Sequence, residues 1–311
     1  GRAARVRRVF GAIQARAGNA KVTFNDGSDP AAAARLAAAS DLVIVFAHQW
    51  TAEAFDVPNL SLPDNQDALI TAVAKANPHT AVVLETGGAV LMPWLKDVGA
   101  VLEAWYPGTS GGEAIGRVLF GEVNPSGHLP INFPASEPQL PRPVLDGHPK
   151  KPELRFEVTS RDGAAVGYKW FDLKGLKPLF PFGYGLSYTS FSYDGLAAHW
   201  ADGQLTVSFT IKNTGAVAGK DVAQVYVASP KGSWEAPKRL GAFQKLALKP
   251  GESRKVSVKV DPRLLAMYQS KDKTWKIASG EYQVTVARSA LDPQASVAVK
   301  LPATTVDVNG K

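Results

Sequence analysis

No cysteine occurs among the 311 residues, which excludes a disulfide framework, thiolate nucleophiles and cysteine-ligated metals. No apolar run approaches the roughly 18 residues that a membrane-spanning helix needs, so no contact with a membrane is expected. Neither GxGxxG nor a Walker lysine is present, which removes the usual phosphate cradles. The five histidines, His48, His79, His128, His148 and His199, are isolated from one another, so no metal or other cofactor is expected. The opening arginines Arg2, Arg5, Arg7 and Arg8 are followed by no apolar signal core, and position 1 is Gly rather than Met. The chain is therefore expected to lack its true start. Absence of cysteine is compatible with the cytoplasm or with a secreted protein that needs no disulfides.

What is present fits two cores, since single cores stop growing near ~250–300 residues. Hydrophobic residues at 45% and charged residues at 20% are ordinary for a globular protein. The formal charge of +7 comes from Lys and Arg scattered through both halves without interleaved aromatics, so no nucleic-acid partner is expected. The arginine-rich start reads as the solvated face of a helix containing Val6, Phe10 and Ile13.

From Lys21 to Leu129, short β-branched runs alternate with helix-like segments. KVTF at Lys21 precedes a helical AAAARLAAA; LVIVFA from Leu42 precedes DNQDALITAVAKA. AVVLE from Ala81, a short helical stretch over 91–98, VLEAW from Val101 and the helical GGEAIGRVLFG from Gly111 follow. Continuous apolar runs such as LVIVFA predict parallel strands buried on both faces, hence a mostly parallel α/β/α sandwich over residues 1–135. Residues 136–188 read as a proline-rich connector, with Pro138, Pro141, Pro143 and Pro152. From Gln204 the runs LTVSFTI, DVAQVYVA, RKVSVKV and SGEYQVTVA alternate between turn signals, which predicts an antiparallel β-sandwich over 189–303.

Ligands in open parallel sheets bind at the carboxyl ends of strands. After LVIVFA, fifteen or more residues pass before the next helix, where about 2–6 are usual. That loop holds His48, Trp50, Glu53, Phe55 and Asp56. A carboxyl group in apolar surroundings can protonate a glycosidic oxygen, and an aromatic ring can stack on a sugar. The residues alone leave Glu53 open as a solvated carboxylate, Asp56 as a turn or cap former, and Trp50 as a loop anchor. Asn59–Ser61 forms a glycosylation-type sequon, meaningful only in a eukaryotic secreted protein. Thr86, Gly87 and Gly88 read as a structural turn.

The run WTAEAFDVPNLSLPDNQDALI is similar to the segment of family 3 glycoside hydrolases in which Ser-Glu-Gly-x-Asp-Arg precedes a leucine-and-proline run and a helix. ANPHTAVVLETGGAVLMPW, VLEAWYPGTSGGEAIGRVLFGEVNPSGHLPINFP and FPFGYGLSYTSF resemble, in order, further landmarks of the same family and the entry to its fibronectin type III-like domain. The resemblance covers nearly the whole chain after the first twenty or so residues. It implies an α/β sandwich plus a fibronectin III-like sandwich from a retaining, exo-acting β-glucosidase. Glu53 would be the general acid/base, with Trp50 and Asp56 beside the substrate. Ala54 stands where Gly is usual and Val57 where Arg is usual. The implied partners are a β-glucoside or β-glucan oligosaccharide and an N-terminal (β/α)8 barrel that carries the nucleophile. The barrel's absence predicts that the chain alone is inactive. The implied location is periplasmic or secreted. Phe182, Gly183, Tyr184, Gly185 and Tyr188 would lock the joint between domains, and the fibronectin-like part would serve packing or contact an extended polysaccharide.

Two other functions compete. The chain could be a non-catalytic carbohydrate-binding or structural module. Alternatively, GTSGG at residues 108–112 fits G-x-S-x-G, which would make Ser110 the nucleophile of a serine α/β-hydrolase. That reading needs an acid and then a histidine downstream, where the parallel pattern has already stopped.

Overall fold

A computed structural model describes residues 2–54, 57–144, 157, 159–230 and 233–306, with the side chains of 2–7 left out. Two units emerge, one from residues 1–123 and 134–156, the other from 124–133 and 157–311.

The first unit contains α1 (Arg2–Gln14), α2 (Pro30–Ala38), β1 (Val43–His48), α3 (Gln66–Ala76), β2 (Thr80–Glu85), β3 (Ala100–Glu103) and α4 (Gly111–Leu119). The strands pair in parallel in the order β1-β2-β3. β2 is central, and Val82, Val83 and Leu84 are completely buried, as a strand covered on both faces should be. Asp29 caps α2 by accepting from the Ala31 N–H at 2.8 Å, and Pro30 at the first helical position needs no donor there. Ala33 and Ala37 of α2, Leu69 and Val73 of α3, and Val43 and Val45 of β1 form one apolar cluster. Residues two apart on a strand share a face, so Ile44 and Phe46 point the other way.

α4 packs on α1 at close range. A Cβ at Gly112 would stand 2.9 Å from the backbone of Arg8 and Val9, so only glycine fits there. Arg16 ties the same corner, donating to Glu113 at 3.0 Å and to Glu122 at 2.7 Å.

Two expected elements differ. Lys21–Phe24 forms no strand, because a strand exists only through a hydrogen-bonded neighbour and the three-stranded sheet provides none for it. The Phe24 ring instead meets Phe10 of α1 edge-on at 5.9 Å. Within 91–98 only a 3₁₀ turn forms, Leu95–Asp97, since Pro93 cannot supply the N–H that an α-helix needs in its interior.

The second unit opens with α5 (Tyr168–Lys174), ended by Gly175 in the left-handed conformation at φ +63. Its strands and last helix are β4 (Phe191–Ala201), β5 (Gln204–Asn213), β6 (Gly219–Ala228), β7 (Arg239–Leu248), β8 (Ser253–Val260), α6 (Pro262–Leu265), β9 (Met267–Gln269), β10 (Thr274–Ile277), β11 (Gly280–Ser289), β12 (Asp292–Leu301) and β13 (Thr304–Val306). An antiparallel sheet β12-β11-β6-β7 and a second, β4-β5-β8, enclose a core that includes Leu205, Val207, Phe209, Val225, Val258, Tyr282 and Val284. β13-β10-β9 forms a small third sheet. Buried residues alternate with half-buried ones along most of β5 and with exposed ones along the second half of β8, the period-two pattern of a strand with one face in the core.

Residues 124–133 lie in this unit. Phe133 pairs with Phe180 as a β-bridge, and Leu129 exchanges backbone bonds with Tyr184 and Gly183, both at 2.8 Å. His128 joins this arrangement, its Nδ1 2.6 Å from the Gly183 carbonyl and its Nε2 3.4 Å from Asp221. The FGYG run packs inside the unit: Phe182 stacks on Tyr168 at 4.9 Å and Tyr184 lies 5.1 Å from Phe180.

Candidate active site at the strand ends

The carboxyl ends of β1, β2 and β3 are laced together by hydrogen bonds. Tyr106, just after β3, reaches across and donates its hydroxyl to the Gln49 carbonyl at 2.9 Å. Its single proton is then used, so the Thr51 hydroxyl, 2.7 Å away, must donate to it. Between them sits the turn after β2. A Cβ on Gly87 would come within 2.9 Å of the Tyr106 oxygen and 3.0 Å of the Thr51 oxygen, so glycine lets this turn nestle under the loop. Thr86, fully buried, donates to the Gly88 carbonyl at 2.8 Å and holds the turn shut.

The long loop that follows β1 is anchored at both ends. At its far end the buried Gln66 side chain acts as a piece of backbone: it accepts from the His48 N–H at 2.9 Å and donates to the His48 and Pro63 carbonyls at 2.9 and 2.8 Å. Asp67 receives the Leu62 N–H at 3.2 Å and the Trp94 indole N–H at 2.8 Å. Leu60 donates its N–H to Glu137 at 2.8 Å and accepts from the Leu91 N–H at 2.8 Å. Asn59 closes a local turn by accepting from the Ser61 N–H. A loop tied down in this way can present side chains from a fixed base.

Of the residues singled out in the sequence, Trp50 lies on this loop with 70% of its surface exposed, so its ring is offered to solvent and is not a buried anchor. Glu53 is exposed on the same loop. Ala54 has φ +66, the left-handed region that favours glycine, and it is the position where the resembling motif carries Gly. Phe55 and Asp56 lie outside the described residues. The structure brings Thr51, Gly87 and Tyr106 together, with Trp50 and Glu53 flanking Thr51 in the chain.

Glu103, at the last position of β3, is a candidate functional residue that the sequence pattern shows only as part of a strand. Its carboxyl accepts from the Trp105 N–H at 2.8 Å and lies 3.3 Å from the Thr86 hydroxyl. Burial pushes it up to about 7, against the opposing pull of the Trp105 and Thr86 donors. The signal that could have found it was a lone carboxylate inside an apolar strand run near the strand's carboxyl end, where ligands of parallel sheets bind.

A pH dependence of stability follows. The folded chain keeps a proton on Glu103 that the unfolded chain releases near the ordinary 4.5, so the folded state binds more protons between those values. Stability is therefore expected to fall as pH rises from about 4.5 to 7 and to level off above. Glu103→Gln, which cannot ionise, is expected to be more stable than the wild type by on the order of 2 kcal/mol at pH 8, after allowance for partial solvent access, and near equal at pH 4. Chemical denaturation at both pH values checks this.

Ser110 lacks the features of an activated nucleophile. It precedes α4 with ordinary φ −94 and ψ 14 rather than in a strained elbow, and no hydrogen bond joins it to a histidine among the described residues. Nor do the described residues bring three or more His, Asp or Glu side chains together for a metal.

Residues 2–188 match the glycosyl hydrolase family 3 C-terminal domain. The chain belongs to glycosyl hydrolase family 3. In this family 3 chain, residues 221–290 further match a fibronectin type III-like domain, the region of the antiparallel sandwich. A beta-glucosidase from Rhizobium radiobacter is 41% identical over 88% of the chain and 34% of its own length. A thermostable beta-glucosidase B from Acetivibrio thermocellus is 40% identical over 86% of the chain and 36% of its own length. Among solved structures, a beta-glucosidase from Streptomyces venezuelae in complex with D-glucose superposes with a TM-score of 0.80 at 41% identity, over 88% of this chain and 35% of that one. The family 3 chain thus spans about a third of the length of the relatives it matches.

Proposed function

We propose that this chain supplies the general acid/base, Glu53, to a retaining, exo-acting β-glucosidase whose nucleophile lies in a part of the enzyme outside it. The observation that carries the reading is the loop itself. It leaves a parallel strand at its carboxyl end, is tied down by Gln66, Asp67 and the Thr51–Tyr106 bond, and places an exposed carboxyl beside a left-handed residue. The family membership and the beta-glucosidase names of its relatives support the reaction class.

In that reading Glu53 protonates the glycosidic oxygen as the aglycone leaves, and the nucleophilic carboxylate takes the sugar as a covalent glycosyl ester. Glu53, now ionised, then removes a proton from the water that releases the sugar with retained configuration. Exposure of Glu53 in the chain by itself suits a group that meets its substrate where a second domain completes the site. Trp50, also exposed and three residues earlier, offers a ring face for stacking on a sugar.

Retaining hydrolysis requires two carboxyl groups about 5–5.5 Å apart, and the reading assigns only one of them here. The 311-residue chain is therefore expected to release no aglycone from an aryl β-glucoside under conditions where the full-length enzyme does. Turnover by the chain alone would refute this division of labour. The role of Glu53 is tested by Glu53→Gln in the full-length enzyme, where hydrolysis of substrates with poor leaving groups is expected to collapse.

A further inference from the structure

We propose that Glu103 is a positioning residue for the Glu53 loop, acting through the single hydroxyl proton of Thr86. The proposal rests on the acid/base reading of Glu53 for its catalytic meaning, but the coupling it describes is a property of the strand ends alone.

The Thr86 hydroxyl has two neighbours that can accept a hydrogen bond, the Gly88 carbonyl at 2.8 Å and the Glu103 carboxyl at 3.3 Å. It owns one proton. When Glu103 is neutral, the carboxyl can give its own proton to the Thr86 oxygen, and Thr86 is free to fasten the Gly88 carbonyl. When Glu103 is ionised, the carboxylate has only lone pairs to offer. The Thr86 proton then turns toward it, because hydrogen bonds to charged acceptors are the stronger ones, and the Gly88 carbonyl loses its donor.

What the turn holds makes this matter. Gly87, between the two bonded residues, has no room for a Cβ against Tyr106 and Thr51. Thr51 and Gln49 are bonded to Tyr106 at 2.7 and 2.9 Å, and Thr51 stands two residues before Glu53. On the other side, Glu103 fixes the Trp105 N–H at 2.8 Å, and Trp105 has φ +52, a conformation that an aromatic residue adopts only when held. That bend is what sends Tyr106 back over β1. One carboxyl thus touches both supports of the loop, the 86–88 turn and the Trp105–Tyr106 bend. Burial, which keeps this carboxyl protonated up to about 7, puts the change of state near neutrality. Among the described residues, the other titratable groups at these strand ends and on the loop include Glu85 on β2, which is buried, His48 on β1, its register partner, Tyr106 itself and the exposed Glu53.

The test is a pH titration of the backbone amides of this chain by nuclear magnetic resonance. In the wild type, Gly87, Gly88 and Thr51 to Ala54 are expected to shift together with one midpoint near pH 7. Glu103→Gln keeps an acceptor for Trp105 and a donor for Thr86, so it imitates the neutral carboxyl and is expected to flatten all of these curves in the low-pH position. Thr86→Val, which keeps the shape and removes the hydroxyl, is expected to leave the Trp105 amide responsive while Gly88 and Thr51 to Ala54 no longer follow it. Glu53→Gln is expected to leave the wild-type transition unchanged, so a failure of the acid/base reading would not disturb the result. A midpoint near pH 7 that survives Glu103→Gln would assign the transition to His48 or Glu85 and overturn the proposal. So would its loss in Glu53→Gln, or a wild type whose loop amides do not titrate.

Discussion

Glu53→Gln in the full-length enzyme is expected to lower kcat/KM for alkyl and oligosaccharide β-glucosides by about 10²–10⁴, the usual contribution of a positioned acid. An aryl glucoside with a good leaving group needs little proton donation, so its first step should be nearly preserved. The second step should slow for both, because the amide cannot take a proton from water. With the aryl glucoside, whose first step stays fast, a glycosyl intermediate then accumulates, and KM falls together with kcat. Azide attacks without a general base, so adding it is expected to restore turnover of the aryl substrate and to yield the β-glucosyl azide. These effects separate a reacting carboxyl from one that merely supports the loop: a support residue would slow good and poor leaving groups alike and would not respond to azide. Unchanged rates on both substrate types would remove Glu53 from the mechanism.

The second large effect concerns the fold. Gly183→Val is expected to cost about 4 kcal/mol or more, from three separate sources. Gly183 has φ +79, where a β-branched residue is strained by roughly 1–2 kcal/mol. A Cβ there would stand 2.0 Å from the Gln224 side-chain oxygen, and forcing such an overlap costs about 1–3 kcal/mol. Gln224 has nowhere to retreat. It is 3% exposed, donates to the Gly183 and Arg288 carbonyls at 3.0 and 2.6 Å, and accepts from the Tyr226 hydroxyl at 2.8 Å. Displacing it leaves buried polar groups unpaired, at about 1–3 kcal/mol more. A thermal scan is expected to show a loss on the order of 10–15 °C for the second unit. Gly203→Val is the control: its φ is +75 but nothing lies within 4 Å of its Cβ, so it carries the strain without the clash. Equal losses in the two variants would show that Gln224 is free to move aside.

Much of the architecture was legible in the sequence because it depends on periodicity. The apolar runs of β1 and β2, the helical patterns of α3 and α4, and the alternation along β5 and β8 each follow from which faces are buried. Lys21–Phe24 misled because strand composition does not supply a neighbouring strand. The place of residues 124–133 in the second unit depends on Phe133 meeting Phe180 and on Leu129 meeting Gly183 and Tyr184, contacts between distant parts of the chain that local pattern does not record. At the candidate site, the unusual length of the loop and its Trp50 and Glu53 were visible. The parts that hold it were not. Gln66 looked like an ordinary helix residue and Glu103 like an interior residue of the strand VLEAW; their roles, and that of Tyr106, come from hydrogen bonds between three strand ends that meet only on folding.

The left-handed backbone at Ala54 connects these two levels. A methyl group there carries a conformational cost that glycine would avoid, one residue after Glu53.

The most direct measurement is a crystal structure of the full-length enzyme with an intact, non-hydrolysed thioglucoside in its site. The Glu53 carboxyl is expected within hydrogen-bond reach of the bridging sulfur, with a second carboxyl about 5–5.5 Å from it on the opposite side of the anomeric carbon. A different carboxyl beside the bridging atom, with Glu53 turned to bulk solvent, would contradict the account.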